Sequence, residues 1–87
     1  MDVERIPGAT RNFGAPKDWN PERDGPCGVL PIRDEACDRG MHWMVSQYKP
    51  SPEDLAVLNA GGSIRLGING TTHPVIHIPY VVPAGAD

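Results

Sequence analysis

Apolar and polar positions change rhythm several times along the chain, and each change marks an element. The cleanest alternation is "GSIRLGI", residues 62–68. It sets Ile64, Leu66 and Ile68 on one face of a strand and Ser63, Arg65 and Gly67 on the other. Asn69-Gly70 follows as a hairpin-turn pair, and "HPVIHIPYVV" (73–82) supplies a returning strand rich in β-branched residues. Earlier, "CGVLPIRD" (27–34) reads as a short strand. Pro31 cannot donate to a ladder, so that strand belongs at an edge or carries a bulge. "DEACDRG" (34–40) makes a polar connection to "MHWMVSQY" (41–48), a strand with Trp43 and Val45 pointing one way and Met44 and Tyr48 the other. Together these two strands predict a hairpin.

Between the two strand pairs lies "KPSPEDLAVLNAGG" (49–62). Ser51 is a good N-cap, Pro52 suits the first helical position, and Asp54 completes a capping-box pattern. Glu53 and Asp54 put negative charge at the positive end of the helix dipole. Gly61 and Gly62 can take the left-handed conformation that ends a helix. The pattern predicts roughly two to three turns with Leu55 and Leu58 on a buried stripe. Residues 1–26 show no periodicity, and Phe13 and Trp19 are their large apolar anchors. Either this segment is a disordered tail, or Trp19 pins it across the domain or a neighbouring subunit.

The resulting expectation is an α+β fold: a small antiparallel sheet in β-β-α-β-β order, one short helix and an extended N-terminal arm. The arm would cover residues 1–26, a single domain 27–83, and a tail 84–87. Register sharpens the last strand pair. A two-residue Asn69-Gly70 turn would pair Leu66 with His73 and Ile64 with Val75, putting His73 and His77 on the apolar face. A loop one residue longer, with a bulge, pairs Ile64 with Ile76 and groups the isoleucines, so the odd-length loop is expected. His77 then lies beside Arg65 and Ser63. The opposite face carries Val75 and Val81, so this ribbon is apolar front and back and needs cover on both sides. One helix covers one side; a second subunit, or the arm folding back, covers the other.

Composition narrows the class. Eighty-seven residues allow one small domain, and ten Gly with ten Pro imply much turn and extended chain. Such a chain is marginally stable alone, which favours a homo-oligomer. The net charge of −3 and the absence of a Lys/Arg run argue against direct nucleic-acid or membrane partners. With no long apolar run and no leader, a cytoplasmic protein is expected. Cys27 and Cys37 are read as reduced thiols, with Cys27 in a partly buried turn.

Candidate chemistry is sparse. His73 and His77 are four apart, which on a helix would suggest a metal site. Pro74 and the β-branched residues favour a strand instead, where positions four apart are about 13 Å from one another. Zinc–nitrogen bonds are about 2 Å, so one zinc cannot take both, and neither a metal nor any other cofactor is expected. Ser46 and Ser63 lack a nucleophile-elbow context, and the glycines make no phosphate loop. "RDEACD" (33–38) reads as a solvated acidic loop rather than a carboxylate pair. No catalytic residue is assigned and a non-enzymatic protein is expected. The groups that remain are suited to binding: Arg65, His77, His73 and Arg33, with Trp43 and Tyr48 for stacking, would suit a compact anionic ligand if they converged.

"DWNPERDGPCGVLPIRD", "MVSQYKPSPEDLAVLNAGGSIRLGI" and "THPVI" together resemble a family of small proteins encoded by tailed phages and prophages of proteobacteria. The resemblance covers residues 17–78. It implies a phage accessory gene and an intracellular, reducing setting, and it brings no catalytic residues. Small acidic phage proteins of this kind often act against host defence. One mechanism is a sponge that sequesters a small nucleotide-derived immune signal between subunits. The alternative is a protein-binding inhibitor of a host defence effector, or a small virion or assembly factor.

Overall fold

The computed structural model describes residues 1–36, 39–72, 74–76 and 80–87. The chain is α+β, built on small antiparallel sheets. In chain order its elements are β1 (Asp2–Glu4), β2 (Arg11–Phe13), α1 (Pro21–Asp24), β3 (Leu30–Ala36), β4 (His42–Val45), β5 (Gln47–Lys49) and α2 (Pro52–Asn59). Three strands form one sheet in the order β2-β3-β4, and β1 pairs with β5 in a second.

The expected hairpin is β3 and β4. They run antiparallel with Arg33 opposite Val45, Asp34 opposite Met44, Glu35 opposite Trp43 and Ala36 opposite His42. The strand begins and ends later than the sequence suggested, so Asp34 and Glu35 belong to a ladder and not to a solvated loop. Pro31 faces Asn12 of β2, and β4 reaches β3 only from Arg33 onward. The missing donor therefore lies where β3 is locally an edge, as its chemistry requires. Residues 41–48 do not form one strand. They split at Ser46 into β4 and β5, each serving a different sheet.

Residues 1–26 are extended over two short stretches, and both are paired. β1 lies against β5, with Val3 opposite Tyr48, and β2 lies against β3, with Arg11 opposite Ile32. Strands of three residues are too short to show a period in sequence, so their pairing is set by the neighbouring strand. α1 is a single turn that the sequence left unassigned. Its start, Asn20-Pro21-Glu22, repeats the chemistry of Ser51-Pro52-Glu53: Asn20 Oδ1 accepts from the Glu22 backbone N–H, and Pro21 takes the first turn. Trp19 pins this turn, its Nε1–H donating to the Gly25 carbonyl at 2.8 Å.

α2 follows its sequence signals. Ser51 Oγ accepts from the Asp54 N–H at 3.1 Å, and the Ser51 N–H donates to Asp54 Oδ2 at 2.9 Å, completing the capping box. At the other end the Gly62 N–H reaches the Val57 carbonyl and the Gly61 N–H the Leu58 carbonyl, which is a Schellman closure. Gly61 has φ +91°, and a Cβ on Gly62 would stand 2.6 Å from Val57 Cγ1. Burial does not follow. No residue of α2 is buried, and Leu55 is 47% exposed. Of the expected stripe, Leu58 is half-buried beside Met1 and Ile64, while Leu55 is left exposed.

The main correction is that residues 62–68 and the described residues of 73–82 carry no strand. A type I′ turn needs positive φ at both central positions. Gly70 has it, at +134°, while Asn69 does not, since the positive φ angles all belong to glycines. The expected register, including the placement of His77 beside Arg65, involves His73 and His77, which lie outside the described residues. The core is small: Ile6 at 3% and Ile32 at 2% exposure are its buried hydrophobic members among the described residues. Cys27, expected in a partly buried turn, is exposed and free, and Cys37 lies outside the described residues. Among the described residues no helix is long and apolar enough to cross a membrane.

Candidate functional site

Alternation along β3 sends Asp34 to one face of the three-stranded sheet and Arg33 and Glu35 to the other. Both faces carry a polar network. On the first, Arg11 clasps Asp34 with two bonds, Nε to Oδ2 at 2.9 Å and Nη2 to Oδ1. The Thr10 hydroxyl donates to Asp34 Oδ2 and accepts from the Asp34 N–H at 2.9 Å. His42 Nε2 stands 2.6 Å from Asp34 Oδ1. These donors, Arg11 first, hold the Asp34 carboxyl far below the usual carboxylate range, and the same bond raises the Arg11 guanidinium.

On the second face, Arg33 Nε and Nη2 reach Glu35 Oε2 at 3.1 and 3.0 Å, and Nη1 donates to the Pro7 carbonyl at 2.8 Å. The Tyr80 hydroxyl bridges the pair, donating to Glu35 Oε2 at 3.3 Å and accepting from Arg33 Nη2 at 3.4 Å. Trp43 shares this face, directly opposite Glu35. Of the sequence candidates, then, Arg33 and Trp43 come together. The Arg33 charge is already matched by a carboxylate, so it is a structural clasp more than a free anion contact.

The other candidates lie elsewhere. Tyr48 is on β5, in the other sheet, and its hydroxyl accepts from Ser46 Oγ at 2.9 Å. Arg65 borders an open depression of about 260 Å³ beside α2, with Met1, Asp54, Val57, Leu58, Ser63 and Ile64. There the chain's terminal amine meets Asp54 Oδ2 at 2.6 Å. That bond, with the Ser51 N–H and hydroxyl, lowers the Asp54 carboxyl to about 2. His73 and His77 lie outside the described residues.

The sequence reading missed Thr10, Arg11, Asp34, Glu35 and Tyr80. The signal available was the run Arg33-Asp34-Glu35, which puts charge on both faces of one strand, and the facing strand β2 is too short to be seen from sequence. Both Asp34 oxygens and Glu35 Oε2 are occupied by donors, and the Thr10 and Tyr80 hydroxyls donate to carboxylates that arginines already neutralise. Among the described residues no group of three or more His, Cys, Asp or Glu could hold a metal ion. Arg65 differs from the paired arginines, since no described carboxylate partners it. The chain matches no family model, no curated protein and no solved structure.

Proposed function

We propose that the protein is a non-enzymatic, phage-encoded accessory protein of the host cytoplasm that self-associates and sequesters a small anionic, nucleotide-derived signal at the contact between copies. The supporting observation is Arg65. It is an exposed guanidinium with no described carboxylate partner, set between Ile64 and Leu66 on the wall of the depression beside α2. Two cationic groups, Arg65 and the terminal amine, face one carboxylate, Asp54, so the lining favours an anion. The depression is open and smaller than the roughly 300–1,000 Å³ of complete ligand pockets, so a second copy is needed to close it.

Self-association has its own support. Two buried hydrophobic side chains among the described residues are a meagre core, whereas Leu55, Val57, Ile64, Leu66, Val75, Ile76, Val81 and Val82 are exposed. A chain that needs such cover to fold needs it constantly, and the partner always present is another copy of itself.

The experiment is to incubate purified protein with cyclic dinucleotides, cyclic trinucleotides and ADP-ribose derivatives, wash, denature and identify what is released. Intact ligand is the expected result. Altered ligand would make the protein an enzyme, and no retention of any of them would overturn the reading. A second reading, a protein-binding inhibitor of a defence effector, is favoured by the net charge of −3, which opposes a small anion and suits a basic surface on a protein target. It predicts no small-molecule retention and a stable complex with a protein target.

A further inference from the structure

The segment that carries Arg65 has an unusual status. Residues 63–68 alternate as a strand should, yet none of their backbone groups has a hydrogen bond to a described residue. Ile64 and Leu66 are 57% and 56% exposed. Gly67 has open space where a side chain would be, and no positive φ that would bar an extended conformation. The segment belongs to no ladder, and its backbone groups are available to one.

We infer that this segment pairs antiparallel with the same segment of a second copy about a two-fold axis through Leu66, and that the two Arg65 side chains then form one site for a ligand carrying two phosphate groups. The inference rests on the self-association proposed above and specifies how it is built.

Three registers decide the matter. Pairing centred on Arg65 sets the two guanidiniums directly opposite, which is repulsive. A register offset by one residue, with Arg65 opposite Leu66, places the apolar residues of one copy against Ser63, Arg65 and Gly67 of the other and breaks both faces. Centred on Leu66, the pattern complements itself. Leu66 meets Leu66 of the partner subunit, Ile64 meets an isoleucine, the partner's Ile68, and Arg65 meets the partner's Gly67. All the apolar side chains share one face. On the other, each arginine lies opposite a glycine, which leaves room for a ligand over the ladder. The two arginines become diagonal neighbours with backbones about 7–8 Å apart, far enough to avoid repulsion and near enough for their long side chains to grip two phosphates of one molecule. Guanidinium forks suit phosphate oxygens, and a two-fold pair suits a ligand with its own two-fold symmetry.

The test uses three variants of the full chain. In a Cys27→Ser, Cys37→Ser background, Leu66→Cys should cross-link to a covalent dimer on mild oxidation, because directly opposed positions lie about 4.5–5.5 Å apart. Ile64→Cys in the same background, whose partner is Ile68, should not. Leu66→Pro removes an N–H that has no described acceptor within one copy, so it should keep the native circular dichroism but weigh one chain where the native protein weighs two. Arg65→Ala should keep the two-chain mass and lose at least about tenfold in affinity for a cyclic dinucleotide, the loss of a charge-assisted bond from each copy. A two-chain mass unchanged by Leu66→Pro, or cross-linking at Ile64 in place of Leu66, overturns the ladder and leaves the sponge reading standing. A dimer that behaves as described but retains no nucleotide overturns the sponge reading and the two-arginine site, and leaves the ladder. A native mass of one chain overturns both.

Discussion

Asp34 shows how much one side chain organises when its oxygens are all taken. It ties the beginning of β2 and the beginning of β4 to β3, through Thr10, Arg11 and His42. Its carboxyl and that of Asp54 are both lowered on folding, so each contributes stability above the unfolded carboxylate range and loses it as pH falls. For Asp54 the loss falls between about 4, the unfolded value, and about 2, the folded one. The urea midpoint should therefore drop through this window. Asp54→Asn should lower the midpoint at pH 7 and flatten the acid limb, and an unchanged limb would show that the terminal amine and Ser51 contribute nothing in solution. Gly62 is a second decisive residue. Its Cβ has no room beside Val57, so Gly62→Ala should cost roughly 1–3 kcal/mol by urea titration.

At the scale of elements, α2 is two turns long with no buried residue, so its end chemistry must hold it. Ser51→Ala removes half of the capping box and should cost about 1 kcal/mol, read as lost helical signal and a lower urea midpoint. The same variant leaves β1 to β5 untouched, so strand amides should keep their hydrogen-exchange protection while those of α2 lose theirs. α1 and α2 begin with the same cap-proline-glutamate chemistry, but only the second was evident from sequence, because only there does an apolar run follow.

For the whole molecule, the small core makes every buried methyl count. Ile32→Ala should cost about 2–5 kcal/mol, enough to leave the isolated chain largely unfolded at 25 °C by circular dichroism. If it instead folds normally at high concentration and melts on dilution, cover from other copies supplies what the core lacks. The two sheets share a chain crossing at Ser46, which explains how a sequence that looks like one strand can serve both.

The sequence by itself determined what local chemistry can determine. The capped helix from Ser51 to the Gly61-Gly62 stop and the β3–β4 hairpin depend on a few adjacent residues, each with a strong conformational preference, whereas the Pro31 strand, expected at an edge, is central and only its first residues lack a neighbour on one side. Tertiary structure alone decided which strands are neighbours. Pairing of β1 with β5 and β2 with β3 depends on residues 17 to 47 positions apart, and a three-residue strand carries no period that would announce it. The same is true of the site. Thr10, Arg11 and Asp34 meet only because two strands pair, and Asn69-Gly70 did not make its hairpin because a turn residue permits a conformation without enforcing it.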